Sequence, residues 1–122
     1  MKFKKLMLID DSRVSRMMFI KFLEDTPLKF DICEADCAEQ ALERFAENSD
    51  IRNFVVDFNM PGLNGLELIE KLQEKISDGK YNLFTANIQP DIHVRAEKLG
   101  VKVTAKPINQ EKVIEIIKGF QT

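Results

Sequence analysis

The sequence predicts an α/β protein with a doubly wound, five-stranded parallel sheet and five helices. Short apolar runs alternate along the chain with longer segments whose apolar residues recur at helical spacing, and the connections between them are short. Strands joined by helices pair in parallel, and helices cover both sheet faces when the strand order reverses once. A length of 122 residues fits one domain, so we expect a single domain over residues 1–122 with a ligand crevice at the carboxyl ends of its strands.

The first unit is a strand over residues 5–9 followed by a helix over residues 12–24. The run KLMLI is continuously apolar and stops at Asp10 and Asp11, which is typical of a strand buried on both faces. Either Asp11 or Ser12 can cap the helix that follows. The helix is predicted because four apolar residues recur at helical spacing: Val14, Met17, Met18 and Phe22.

The second unit is a strand over residues 30–35 and a helix over residues 38–48. Asp36, with Glu39 three residues later, resembles a capping box that has Asp in the place of Ser or Thr. The helical spacing predicts that four residues point inward: Ala38, Ala41, Leu42 and Phe45.

The third unit contains a tract that indicates chemistry. Its strand covers residues 54–58 and its helix residues 65–76, with Leu66, Ile69 and Leu72 or Gln73 on one side. In the connecting sequence VVDFNMPGLNG, the apolar run ends on the carboxylate of Asp57 and is followed at once by Asn, Pro and Gly. A strand that served only a core would end on a neutral polar residue, so an acid at this position indicates a reactive group.

The last two units complete the alternation. Residues 81–85 form the fourth predicted strand, and Pro90, which suits a first helical turn, starts a helix that runs to residue 99. A fifth strand over residues 101–105 and a closing helix over residues 110–119 follow.

Five chemically active side chains lie at or just after the predicted strand ends: Asp10, Asp11, Asp57, Thr85 and Lys106. Because the carboxyl ends of parallel strands share one edge of a sheet, we expect them to converge. Two carboxylates about 5 Å apart repel by about 3 kcal/mol at an effective dielectric near 20, so three together need a proton or a cation between them. Mg²⁺ prefers oxygen ligands and commonly lies between carboxylates and a phosphate, so the cluster predicts a magnesium site.

A carboxylate beside Mg²⁺ can itself attack a phosphoryl group and form an aspartyl phosphate. The other residues match what phosphoryl transfer needs, which is neutralisation of the equatorial oxygens by a metal, an ammonium and hydrogen-bond donors. Lys106 supplies the ammonium, Thr85 a hydroxyl, and Asn59 a main-chain carbonyl for the metal.

At this point the set of motifs resembles a known family. Asp10-Asp11, Asp57 within VVDFNMPGLNG, Thr85-Ala86 and Lys106-Pro107 are similar to the motifs of response-regulator receiver domains, the CheY-like family. The resemblance covers the whole chain and implies a stand-alone receiver domain over residues 1–122. It also implies the flavodoxin-like fold, with strand order 2-1-3-4-5.

The resemblance implies a role for each site residue. Asp57 would accept a phosphoryl group from a sensor histidine kinase or a histidine phosphotransfer protein, and Thr85 and Lys106 would contact that group. Asp11 and Asp57 would bind Mg²⁺ together with the Asn59 carbonyl, and Asp10 would act mainly through a metal-bound water. The protein would then be a phosphoacceptor that assists its own phosphorylation and dephosphorylation, rather than an enzyme.

The resemblance also implies features outside the acid cluster. The bond between Lys106 and Pro107 is cis in this family, and a downstream protein target binds the face of the fourth helix, fifth strand and fifth helix. The residues two after Asp57 and two after Thr85, which are Asn59 and Asn87, flank the path of attacking water in the family.

Val103 departs from the family pattern. Three residues before the lysine, the family usually has a Tyr or Phe that responds to the state of the threonine, whereas this chain has Val103. The site residues are complete, but with valine at this position the resemblance does not imply the usual output switch.

Two other functions share parts of this pattern. A haloacid-dehalogenase-type phosphatase also uses an aspartate nucleophile and Mg²⁺. Enzymes of that type share a second Asp two residues after the nucleophile, which is the general acid, whereas this chain has Asn59 there. A degenerate receiver could bind partners without phosphorylation. Within the receiver function, the sequence does not separate chemotaxis regulator, phosphorelay intermediate and phosphate sink.

Composition narrows the partners and the location. The net charge is −2 with both signs interspersed, so there is no nucleic-acid footprint, and no apolar run approaches the roughly 18 residues that span a bilayer. We therefore expect a cytoplasmic protein with protein partners. Cys33, Cys37 and the single histidine, His93, are too few for a zinc site, so we expect two free thiols and a surface histidine.

Overall fold

The computed structural model describes residues 3–86 and 89–121, and within them five strands alternate with five helices. The strands are β1 (Lys4–Ile9), β2 (Phe30–Ala35), β3 (Asn53–Asp57), β4 (Lys80–Thr85) and β5 (Lys102–Ala105). The helices are α1 (Arg13–Glu24), α2 (Ala38–Glu47), α3 (Gly65–Lys75), α4 (Pro90–Lys98) and α5 (Gln110–Gln121). All ten predicted elements are confirmed, with ends displaced by two residues at most.

Within the described residues, the strands form one parallel sheet in the order β2-β1-β3-β4-β5. This order confirms the predicted fold class. The order reverses at β1, so the crevice at the carboxyl ends of β1 and β3 is the topological switch point where such folds bind ligands. Ile9 pairs with Val56 in the register, which places Asp10 level with Asp57 on the neighbouring strand.

Both faces of the sheet are covered by helices, and this explains the continuous apolar runs of the central strands. All of β3 is buried, as are the last four residues of β1. Met7, Ile9, Phe54 and Val56 belong to one core cluster with α2, α3 and α4. Leu6, Leu8, Val55 and Phe84 belong to the other cluster, with α1 and α5.

The apolar residues that predicted α1 do not all face the sheet, although Phe22 packs against the core. Val14, Met17 and Met18 are 65%, 59% and 43% exposed, and the buried residues are Phe19 and Leu23. Apolar residues surround much of this helix, so the spacing alone did not fix which stripe faces the sheet. Phe19 does so because its ring packs edge-on against Phe84, with the ring centroids 6.2 Å apart.

The cap predicted for α2 was wrong, by one residue. Cys37 is the N-cap, and its Sγ accepts the Gln40 N–H at 3.5 Å. The Gln40 side chain accepts the N–H of Asp36, the residue before the cap, at 2.8 Å, so neither Asp36 and Glu39 nor Cys37 and Gln40 form a reciprocal capping box. Ala38, Ala41 and Phe45 are buried as predicted, and Leu42 packs against the same core from its edge.

Candidate functional site

Three aspartates meet at the carboxyl edge of the two central strands. Asp10 directly follows β1 and Asp57 ends β3, and both are buried, at 6% and 3% exposed. Asp11 lies beside them on the solvent side. One carboxylate oxygen from each of the three lies within 4.8 Å of the others. The structure therefore brings the predicted acid cluster together.

Lys106 reaches this cluster from the residue after β5. Its Nζ lies 3.1 Å from Oδ1 of Asp57 and 3.4 Å from Oδ2 of Asp10. Burial alone would lower the pKa of Lys106, but the hydrogen bond to Asp57 and the charges of Asp10 and Asp57 raise it above its ordinary value. The ammonium is therefore charged at neutral pH. The peptide bond between Lys106 and Pro107 is cis, as the family resemblance implied.

The surroundings of Asp57 disfavour the ionised form of its carboxyl group. Burial is the main cause that raises its pKa to about 6, the charge of Asp10 adds to this, and the hydrogen bond from Lys106 opposes it. Three carboxylates thus outweigh the Lys106 ammonium, and a divalent cation would balance the charge. Carboxylate oxygens at this spacing are the donor set that Mg²⁺ prefers, so the residues fit a magnesium ion.

Main-chain contacts fix Asp10 in place. Its N–H donates to the Ala35 carbonyl at 3.1 Å, which extends the β1–β2 ladder by one residue. Its Oδ1 accepts the Ser12 N–H at 2.9 Å, and its carbonyl oxygen accepts a hydrogen bond from the guanidinium of Arg16. Sequence reasoning did not identify Arg16, because a helix-surface arginine gives no signal of which acceptor it reaches.

Thr85 and Asn59 occupy the positions that the strand ends predict. Thr85 ends β4 and is 1% exposed, and its carbonyl accepts the Lys106 N–H at 2.9 Å. It lies one residue beyond Phe84, the register partner of Asp57. Asn59 is exposed in the loop after β3. Asn87 lies outside the described residues.

Gly65 lets α3 begin close to the acid cluster. A Cβ on this residue would lie 2.5 Å from the main-chain oxygen of Asp57 and 2.8 Å from Cδ1 of Leu83, distances that side chains do not tolerate. The helix start is held by a capping box in which Asn64 and Glu67 each accept the other's N–H at 2.9 Å.

A mostly apolar cavity of about 320 Å³ opens beside the site. Asp10 and Lys106 form its polar edge, and its other walls come from β1, α1, β4 and the β5–α5 loop. The apolar lining residues are Leu8, Met18, Phe19, Phe84, Pro107 and Ile108. A larger cavity of about 760 Å³ lies at the opposite edge of the sheet, where Lys5 pairs with Asp50 and Arg52 with Asp78, so it has no part in the acid cluster.

The remaining candidates for chemistry lie away from this cluster. Cys33 and Cys37 are free thiols, as expected, and burial raises the pKa of Cys33. His93 is exposed on α4. Val103 is half-buried in β5 and packs against the core on the α4 side of the sheet. No helix in the described parts of the chain is both long enough and apolar enough to cross a membrane.

Comparison with known proteins gives a consistent result. Residues 6–118 match the family described as "Response regulator receiver domain". The nitrate/nitrite response regulator protein NarL of Escherichia coli K12 is 35% identical over 95 residues, which cover 78% of this chain and 44% of NarL. The chemotaxis protein CheY1 of Helicobacter pylori is 32% identical over 77 residues, covering 63% of this chain and 59% of CheY1. The chain thus matches less than two thirds of the length of either relative.

Among solved structures, the CheX–CheY–BeF₃–Mg²⁺ complex from Borrelia burgdorferi matches with a TM-score of 0.86 at 15% identity, covering 98% of this chain and 90% of that one. This likeness supports the fold. The family match sets aside the phosphatase alternative, since receiver domains are phosphoacceptors rather than classical enzymes. With its parallel fold, its Asp10, Asp11 and Asp57 cluster and this match over nearly its whole length, the chain belongs to the response regulator receiver domain family of two-component signalling.

Proposed function

We propose that Asp57 is the phosphoacceptor of a response regulator and that its Mg²⁺-dependent phosphorylation by a histidine kinase or histidine phosphotransfer protein changes the binding of a downstream protein. One observation supports this above all others. The buried Asp57 carboxylate lies 3.1 Å from the Lys106 ammonium and within a cluster of carboxylates that fits a divalent cation.

The proposed reaction is a phosphoryl transfer from a donor histidine to Asp57. An Asp57 oxygen attacks phosphorus, the bond from phosphorus to the donor's imidazole nitrogen breaks, and the imidazole keeps the electron pair and takes up a proton from solvent. Lys106 neutralises one phosphoryl oxygen, and Thr85 offers its hydroxyl to another. Mg²⁺, held by the three carboxylates, would supply positive charge that offsets both the carboxylates and the phosphoryl group.

We assign the metal to Asp10, Asp11, Asp57 and the main-chain carbonyl of Asn59. The three carboxylates converge in the structure, and Asn59 is near by position, two residues after Asp57. The Borrelia complex of the same fold contains BeF₃, which mimics a phosphoryl group, together with Mg²⁺.

The phosphodonor protein would contact α1. Val14, Met17 and Met18 form an exposed apolar patch one to two turns from the acid cluster, and Met18 also lines the cavity beside Lys106. Exposed apolar patches of this kind mark protein-binding surfaces. The downstream target would use the separate face of α4, β5 and α5, where Val94 is 49% exposed.

The wider role is part of the same proposal. We infer a cytoplasmic regulator of the chemotaxis or phosphorelay type in which residues 1–122 act as one receiver domain. Receiver family membership and the described fold support this, and the similarity to both NarL and CheY1 is compatible with either type.

The test is phosphorylation by a small donor. Incubation with acetyl phosphate and Mg²⁺ should add one phosphoryl group, seen by intact-mass measurement and released by base or hydroxylamine. Asp57→Asn should abolish it, whereas Asp25→Asn, an exposed carboxylate at the far end of α1, should not. Modification that persists in Asp57→Asn, or that proceeds equally with all divalent metal chelated, would contradict the proposal. A chain that binds Mg²⁺ and is never modified would be a phosphorylation-independent binding module.

A further inference from the structure

Arg16 joins three parts of the molecule through one half-buried guanidinium. Its side chain is 14% exposed although it belongs to the first turns of a surface helix. Nη1 donates to the carbonyl oxygen of Asp10, and Nε donates to Oε1 of Glu34 in β2 at 2.9 Å. The guanidinium therefore links α1, β2 and the residue that follows β1.

The carbonyl that Arg16 binds belongs to the peptide unit between Asp10 and Asp11. A peptide unit is planar, so fixing its oxygen also fixes the direction of the Asp11 N–H and the position of the Asp11 Cα. On the other side of Asp10, the main-chain N–H is already held by Ala35. The contact with Arg16 thus completes the restraint on the segment that presents both carboxylates to the site.

Glu34 keeps the guanidinium in the orientation that this contact needs. Arginine presents its donors in a rigid planar fork, so an ion pair at Nε sets the direction in which Nη1 points. Lysine has a single ammonium on a flexible stem and does not reproduce this geometry.

We propose that Arg16 is a positioning residue for the divalent cation, and that it acts by holding the Asp10–Asp11 peptide so that both carboxylates face Asp57. This inference rests on the proposed magnesium site. It goes beyond that site by adding a residue that contacts neither the metal nor the phosphoryl group. Partners that orient metal ligands typically contribute about tenfold or more to metal affinity.

The sign of the effect separates positioning from simple electrostatics. Removing a positive charge near an acidic cluster should strengthen cation binding if charge alone matters. Loss of positioning should weaken it. Arg13 provides a matched control because it lies three residues earlier on the same helix, has the same charge and is exposed.

The experiment measures the Mg²⁺ dissociation constant by calorimetric titration of the whole chain at pH 7.5, together with thermal unfolding without metal. Arg16→Met keeps an unbranched side chain but loses both contacts, and we expect it to raise the dissociation constant about tenfold. Arg16→Lys should restore only part of the affinity, and Arg13→Met should leave it unchanged or slightly tighter. Glu34→Gln combined with Arg16→Met should weaken binding no more than Arg16→Met alone.

Each outcome decides the inference. The inference is wrong, and Arg16 is only a structural link, if Arg16→Met binds Mg²⁺ as tightly as the original chain while its unfolding temperature falls. If Arg16→Met does not fold, the same criterion applies to Arg16→Lys. Equal weakening in Arg13→Met would also overturn it. If the original chain itself binds no Mg²⁺, the proposed metal site fails first and the inference fails with it.

Discussion

The Lys106 ammonium lies closer to Asp57 than to Asp10, at 3.1 Å against 3.4 Å, although it contacts both. A phosphoryl group on Asp57 would therefore form next to a cation that is already in place. Such preorganised charge is worth more in a partly buried site than in water. The three carboxylates keep an excess of negative charge, and the first two predictions follow from it.

Mg²⁺ binding should strengthen as the pH rises through about 6. The pKa of Asp57 is raised to about 6, mainly by burial, so at pH 5 a proton occupies a carboxylate that the metal needs. We expect the Mg²⁺ dissociation constant to fall about tenfold between pH 5 and pH 7.5, measured by calorimetric titration. Asp57→Asn should remove this dependence near pH 6, and an equally steep dependence in that variant would contradict the prediction.

Asp57→Asn should stabilise the metal-free protein at pH 7.5. Because the pKa of Asp57 is raised from 3.8 to about 6 on folding, the folded state binds more protons than the unfolded state between these values. Asp57 therefore stabilises the folded protein fully below about pH 4, and this stabilisation is lost as the pH rises through about 6. We expect a gain of about 2 kcal/mol for Asp57→Asn at pH 7.5, measured by urea unfolding without metal.

The control for this prediction is the pH itself. At pH 3.5 Asp57 is protonated in the folded protein, so the difference between the two proteins should shrink to a small fraction of its value at pH 7.5. Saturating Mg²⁺ at pH 7.5 should shrink the difference, because the original chain has one more carboxylate for the metal and is stabilised more by binding it. A difference that is independent of pH would show that packing, not charge, is responsible.

Gly65→Ala should destabilise the protein even though alanine is the better helix former. The added Cβ would lie 2.5 Å from the Asp57 main-chain oxygen, so α3 must move away from the site. We expect a loss of about 1–3 kcal/mol in the free energy of unfolding. Gly119→Ala in α5 is the matched control, since its Cβ would meet only the Lys102 Nζ at 3.5 Å, and it should be neutral or stabilising by up to about 1 kcal/mol. Equal effects of the two changes would refute the steric argument.

Output should not depend on Val103. Valine has one stiff torsion and no ring that could alternate between an exposed and a buried position, so we expect it to keep its rotamer when BeF₃ and Mg²⁺ are added. We expect the amide shifts on activation to centre on the segment after Thr85, over residues 85–91, of which Asn87 and Ile88 lie outside the described residues. Thr85→Ala should uncouple partner binding from phosphorylation, and Val103→Ala should change it little. Shifts centred on Lys102 and Val103 would contradict this prediction.

The sequence was sufficient for the fold and for the acid cluster for one physical reason. Parallel strands joined by helices place all their carboxyl ends at one edge, so residues that follow separate apolar runs, such as Asp10 and Asp57, must meet there. The orientation of α1 could not be obtained in this way. Its apolar residues extend over more than one face, and the choice of Phe19 over Met17 depends on the shape of the space beside Phe84.

Hydrogen bonds between particular side chains and main-chain groups could not be predicted from the sequence either. The hydrogen bond from Arg16 to the Asp10 carbonyl depends on how far α1 is rotated, which spacing does not reveal. The cap of α2 was missed because a cysteine thiol is a weak acceptor and Asp36 is the better N-cap by propensity. In both cases tertiary geometry decided between locally plausible partners.

The strand order gives the two halves of the site unequal resistance to local opening. Asp10 follows β1 and Asp57 ends β3, and each of these strands has a strand on either side. Lys106 follows β5, which among the described strands has only β4 beside it. The four residues of β5 are half-buried or exposed, while β3 is buried throughout. Amides such as those of Ile9 and Val56 should therefore exchange with deuterium only through global unfolding. The amides of β5 should exchange through local openings that need less free energy. We therefore expect Lys106 to leave the crevice more readily than the carboxylates do.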